Sequence, residues 1–260
     1  MDVKTAGRTL DLFETFAKMQ MPLSLSELAR ALKAPPSSCF NLVRALQARG
    51  YLYSVQPRRQ LYPTRRLFEV ASAIALGEPW MARIEPVLAQ LRDQTHETVI
   101  LGKRQGDRVI YLQVLEGPQS IRYSSHAGAL KPLHSSAIGK ALLGALEPAE
   151  RAELVKRLPL ERVTDATITD RSTLLADLDR GRKQGYFVTA GENVADVMAV
   201  AAPMRLGSEV YGIAVAGPMH RMERAPTDQA SALAAACATI TNMLEVEPAR
   251  RRMSSIGPTV

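Results

Sequence analysis

Pro35 and Pro36 stand together between two apolar stripes of helical period, and this break limits what the first part of the chain can become. Pro35 has no backbone N–H to continue a helix, and Pro36 restricts the residue before it while suiting the first turn of a new helix. On the N-terminal side, Leu25, Leu28, Ala29 and Leu32 share one face of a short helix. Ser24 and Glu27 have the spacing of a capping box, in which hydroxyl and carboxylate each satisfy a backbone amide of the first turn. On the other side, Cys39, Leu42, Val43 and Leu46 fall at i, i+3, i+4 and i+7, leaving Ser37, Ser38, Phe40, Asn41, Arg44 and Ala48 on or beside the outer face. An earlier helix carries Ala6, Leu10, Phe13 and Ala17 on one face and ends near Met19-Gln20.

Two short helices about a tight turn, the second with a small polar outer face, describe a helix-turn-helix. After Gly50 the pattern changes to strand: Tyr51–Val55, a basic turn at Pro57-Arg58-Arg59, then Gln60–Tyr62. A hairpin with arginines at its tip, placed after the recognition helix, is the wing of a winged helix. A helical unit of this size with a hairpin also serves as a protein-interaction module, so charge has to separate the two. The chain has 33 Lys+Arg against 26 Asp+Glu, a net charge of +7. Residues 1–66 hold 11 of the basic and 4 of the acidic residues, so the excess lies there and the remainder is balanced. Cations gathered in one module suit a polyanion, since each phosphate contact releases condensed counterions.

The stretch from Leu25 to Tyr62 resembles the DNA-binding domain of the IclR family. Leu23-Ser24-Leu25-Ser26-Glu27-Leu28-Ala29, Ser37-Ser38, Leu42-Val43, Leu46 and Gly50-Tyr51 carry the likeness. Asn41 stands where the family usually has Arg, and Phe40 where it often has His or Tyr, which shifts the expected operator sequence. Asn can pair with an adenine edge and Phe can pack on a thymine methyl, so an A·T-containing half-site is expected. The residues expected at DNA are Ser37, Ser38, Phe40, Asn41 and Arg44 from the helix, and Arg58 and Arg59 from the wing.

Leu67, Val70, Ala71 and Ile74 give the next helix an apolar face, closed by Gly77 and Pro79. The expected division is a winged helix over 1–66, a linker helix over 67–80, a second domain over 81–248 and a flexible basic tail over 249–260. In the second domain Ile84, Val87, Leu88 and Leu91 point one helix inward. Strands are expected at Thr98–Arg104, Val109–Leu115, Ile121–Ser124, Tyr186–Thr189, Met198–Pro203 and Val210–Ala216. Helices are expected at Ser136–Leu146, Pro148–Leu158, Thr173–Gln184 and Asp228–Leu244. A meander of strands with covering helices makes the chain α+β. The likeness to the family continues in Pro132-Leu133-His134-Ser135-Ser136 through Gly139-Lys140, in Arg182-Lys183-Gln184-Gly185-Tyr186, in Glu192-Asn193 through Ala202-Pro203, and in Ala214–Pro218. It implies a GAF-like C-terminal effector-binding domain and a homodimer, or a dimer of dimers.

No cofactor is indicated. His134-Ser135-Ser136 lacks a nearby carboxylate to orient the histidine as in a triad, and Gly139-Lys140 lacks the rest of a P-loop. His126 and His134 have no third ligand beside them, so structural histidines are the simpler reading. Cys39 and Cys237 lie far apart and suggest no disulfide framework. With no apolar run near membrane length, a cytoplasmic protein is expected. The Ser135–Gly139 junction is expected to present helix-start amides to a carboxylate. Tyr123, Lys131, Ser136, Ala137, Ile138, Gly139 and Val197 are expected at the effector, with Arg122 a further cation nearby, and the resemblance implies Thr189, Ala199, Ala214 and Ala216 beside them. Where family members that bind glyoxylate-sized ligands tend to have Asp, Cys and two Ser, this chain has Thr189, Ala199, Ala214 and Ala216, so the resemblance implies an aromatic or medium-sized acid over glyoxylate or pyruvate. The whole then reads as a regulator of catabolic genes, repressor or activator, on a palindromic operator. A sensor acting through a partner protein, and an enzyme with a basic accessory domain, remain the competing classes.

Overall fold

The computed structural model describes residues 4–77, 79–224 and 226–254, and divides into two compact units at Pro79/Trp80. In the first unit α1 (Lys4–Met19), α2 (Leu25–Ala31) and α3 (Pro36–Ala48) are followed by a two-stranded antiparallel sheet, β1 (Leu52–Val55) with β2 (Gln60–Pro63), and by α4 (Arg66–Leu76). Ser24 caps α2, accepting from the Glu27 amide while Glu27 accepts from the Ser24 amide at 2.7 Å. The core comprises Leu12, Phe16, Leu23, Leu28, Cys39, Val43, Leu46, Leu52 and Leu61. The inward face of α1 is therefore Leu12 and Phe16, and of the expected stripe Phe13 packs against the core while Leu10 is 64% exposed and Ala6 and Ala17 are exposed. Leu12 and Phe16 sit one turn apart and bury far more apolar area than a stripe rich in alanine. A bridge between Leu23 and Leu61 ties the α1–α2 connection to the hairpin.

In the second unit, β3 (Thr98–Gln105), β4 (Arg108–Leu115), β5 (Leu130–Pro132), β6 (Phe187–Ala190), β7 (Val197–Leu206) and β8 (Glu209–Pro218) form one sheet in the order β5-β4-β3-β8-β7-β6. All its neighbours pair antiparallel. Alternation divides each strand between two cores. Val99, Leu101, Val200, Ile213 and Val215 meet α5 (Pro79–Thr95) and α10 (Pro226–Ser254) through Ile84, Leu88, Leu91, Leu233 and Ile240. Ile100, Tyr111, Ala201, Ala214 and Ala216 face the other way, toward α6 (Ala137–Gly144), α7 (Pro148–Arg157) and α8 (Arg171–Gln184). A short α9 (Met219–Met222) follows β8.

Two expectations are corrected. Ile121–Ser124 is not a strand; the edge partner of β4 is Leu130–Pro132. The carbonyls of Ile121 and Tyr123 accept from the side chains of Arg221 and Thr98, so that segment is held by side chains and not by a ladder. The last helix also continues past Leu244 to Ser254, into the segment expected as a flexible tail, whose remaining residues 255–260 lie outside the described residues.

Candidate functional site

The first unit offers an exposed face built by α3. Its inner side buries Cys39, Val43 and Leu46, which turns Ser37, Phe40, Asn41 and Arg44 outward. Phe40 is 48% exposed, and the Arg44 guanidinium lies over its ring at 5.8 Å. Ser38 is half-buried and accepts from Arg8 at 3.1 Å, so α1 supplies a cation beside the start of α3. Arg58 and Arg59 are exposed at the hairpin tip, Arg59 with a positive φ of 49°. All the residues expected at DNA are therefore on α3 or the hairpin tip. Arg8 is an addition that only the packing of α1 against α3 reveals.

The second unit holds a narrow cavity of about 30 Å³ on the α6 side of the sheet. It is lined by Tyr123, Ser136, Ala137, Ile138, Thr189, Val197, Ala199, Ala214 and Ala216, which the fold thus brings together from the set expected at the effector, and also by Ile100, Tyr111, Asn193 and Val194. Tyr111 could have been found, since it alternates with Val109 on one face of β4. Asn193 and Val194 belong to an irregular segment with no periodicity to follow. Burial and the neighbouring Tyr123 push the Tyr111 phenol well above its ordinary range, so the Tyr111 ring is a neutral hydrogen-bonding group. No charged side chain is in the lining.

Lys131 and Gly139 are not in that lining. Lys131 sits on the edge strand β5 paired with Val109. Gly139 serves close packing, because a side-chain carbon there would lie 2.6 Å from the Leu133 Cα. Its amide is also taken by the Ser136 hydroxyl at 3.2 Å, so the α6 amides that remain for an anion are those of Ala137 and Ile138. Ile138 seats α6 on the sheet, where a carbon at Gly212 would come 2.6 Å from the Ile138 Cγ2. Arg122 is engaged in an ion pair with Glu116 at 2.8 Å. His134 Nε2 donates to the Glu161 carbonyl at 2.9 Å, while Ser135 accepts from Asn193 at 3.2 Å, so the two do not form a nucleophile and base. Among the described residues there is no group of three His, Cys, Asp or Glu placed to hold a metal, and no helix is long and apolar enough to cross a membrane.

A winged helix with its recognition face open, joined to a six-stranded sheet with a small cavity beside one helix start, is the arrangement of a known family. Residues 5–56 match the profile described as the IclR helix-turn-helix domain, and residues 79–242 that of the bacterial transcriptional regulator IclR C-terminal domain. The chain belongs to the IclR family. It is 32% identical over 225 residues to the HTH-type transcriptional regulator BhcR of Paracoccus denitrificans, covering 86% of this chain and 80% of that protein. The Thermotoga maritima IclR structure superimposes with a TM-score of 0.78 at 25% identity, covering 94% of this chain and 99% of that one. An IclR homologue from Microbacterium hydrocarbonoxydans, solved with 4-hydroxybenzoate, shares the fold with a TM-score of 0.74 at 22% identity, covering 94% and 100%. This IclR-family chain is thus a DNA-binding transcriptional regulator.

Proposed function

We propose that this regulator binds a palindromic operator as a homodimer, or as a dimer of dimers, and that a small carboxylic acid seated in the α6 cavity changes its hold on DNA near catabolic genes. The outward set of Phe40, Asn41 and Arg44 on α3 carries the DNA half of the proposal. Arg58 and Arg59 contact phosphate or the minor groove from the wing. Self-association is supported by α4, which buries none of its residues and leaves Phe68 61%, Ile74 71% and Leu76 82% exposed. An amphipathic helix with its apolar face unburied calls for a partner, and a second copy of α4 presents the same face.

For the effector, the amides of Ala137 and Ile138 at the start of α6 suit a carboxylate, and the hydroxyls of Tyr111, Tyr123 and Thr189 suit polar substituents. The rest of the lining is apolar, which supports an aromatic or medium-sized body. A relative of this fold solved with 4-hydroxybenzoate supports the same class. At about 30 Å³ the cavity has room for little more than water, so a ring enters only if a wall moves. The deciding experiment is footprinting on the DNA upstream of the chain's own gene, with and without benzoate, 4-hydroxybenzoate, pyruvate and glyoxylate. A protected two-fold site that shifts with an aromatic acid supports the proposal. Tight binding of glyoxylate or pyruvate with none of an aromatic acid removes the ring and leaves the regulator.

A further inference from the structure

Lys140 is the largest fully buried side chain among the described residues, and it lies three residues beyond Ala137, the first residue of the helix that faces the cavity. Its ammonium donates to Glu192 Oε1 at 2.6 Å and to Asp177 Oδ2 at 2.7 Å, with the Val188 carbonyl at 3.5 Å. A lysine is almost never fully buried unless paired, and a buried ion pair is weak evidence for stability, since apolar residues of similar volume often do as well. The placement of this pair suggests another role. Lys140 belongs to α6, which gives Ala137 and Ile138 to the cavity, and Glu192 belongs to the segment between β6 and β7, which gives Asn193 and Val194. Neither partner of the pair lines the cavity itself.

The segment has few other ties. Thr164 and Thr167 donate to the Gly191 and Glu192 carbonyls at 2.6 and 2.8 Å, Asn193 donates to Ser135 at 3.2 Å, and the Met219 amide donates to the Asp196 carbonyl at 2.8 Å. Val194, Ala195 and Asp196 are exposed. Of these ties only the Lys140–Glu192 pair and the Asn193–Ser135 bond reach α6 or the turn leading into it. The pair is also incompletely satisfied, because Glu192 Oε2 is buried with no hydrogen-bond partner among the described residues. Such a contact holds its two elements together, while the unpaired oxygen makes the closed arrangement less favourable than full bonding would.

We propose that Lys140 and Glu192 are positioning residues that hold the 191–197 wall shut against α6 in the ligand-free regulator. This deepens the effector proposal and rests on that cavity being the effector site, although the wall can be tested without any ligand. The experiment is amide hydrogen exchange on the ligand-free full chain, comparing wild type with Glu192→Gln and Lys140→Met. Exchange at the Gly191 and Val197 amides, which close the segment by donating to the Val197 and Val194 carbonyls, is expected to rise about tenfold or more in both variants while β3 and β8 keep wild-type protection. A merely structural role would instead raise exchange across α6 and the sheet together. Glu192→Gln keeps the side chain's size and one acceptor for Lys140, so it reads the wall even where Lys140→Met fails to fold. Exchange at the Gly191 and Val197 amides within twofold of wild type in Glu192→Gln, or loosening spread over the whole unit, overturns the proposal. Calorimetry of the wild type with the four acids named above is a separate arm: binding of none would sink the effector site, while the exchange result still decides what holds the wall.

Discussion

Gly139 and Leu133 pack backbone to backbone, so that a side-chain carbon at Gly139 would fall 2.6 Å from the Leu133 Cα and 2.7 Å from its carbonyl carbon. In an open helix, replacing glycine by alanine gains up to about 1 kcal/mol. Here the obstacle is backbone, which cannot rotate aside, and overpacking of this kind costs about 1–3 kcal/mol. Gly139→Ala is therefore expected to lower the urea midpoint of the C-terminal unit and to abolish the effector response, because α6 carries Ala137 and Ile138. A midpoint equal to or above wild type would show that the contact yields easily.

Ala214 points into the cavity from β8 and is 2% exposed. Ala214→Phe is expected to fill that space and remove the response to any acid, with operator affinity in the absence of acid unchanged. The check is calorimetry together with gel shift. A retained response would place the effector elsewhere in the protein.

On DNA, Asn41→Ala is expected to cost about 1–3 kcal/mol on the operator and to relax specificity at one position. Arg58→Ala is expected to weaken operator and random DNA alike and to flatten the salt dependence by about one unit. Equal losses on both DNAs for Asn41→Ala would remove that residue from base readout.

His134 gives a pH prediction. Burial holds its imidazole below the ordinary histidine range, outweighing the Glu161 carbonyl that accepts from Nε2. The fold thus favours the neutral ring, and its contribution is present above the unfolded pKa of about 6.5 and lost as pH falls toward the lower folded value. The difference in stability between wild type and His134→Gln is expected to shrink between about pH 7 and pH 5. A difference independent of pH would mean that His134 titrates normally in the fold.

The winged helix was legible because its signals are local. The Ser24–Glu27 box, the Pro35-Pro36 break and the Cys39–Leu46 stripe each act within a turn or two, and the structure keeps all three. In α1 the helical period fits Ala6, Leu10, Phe13 and Ala17 as well as Leu12 and Phe16, and tertiary packing alone decides that Leu12 and Phe16 are buried, Phe13 packs beside them and Leu10 is exposed. Tyr123, Thr189, Ala199, Ala214 and Ala216 came to the cavity through family likeness joined to strand alternation. Asn193 and Val194 stayed hidden in an irregular segment, and the partnership of Lys140 with Glu192 and Asp177 depends on pairs distant in the chain. Periodicity carries no information about contacts of that kind.

The most direct test of the central claim is quantitative footprinting of the full chain on its own upstream DNA at several salt concentrations. The account predicts a protected site of two inverted half-sites about one helical turn apart, with affinity falling steeply as salt rises. Absence of a protected site, or affinity indifferent to salt, would contradict it.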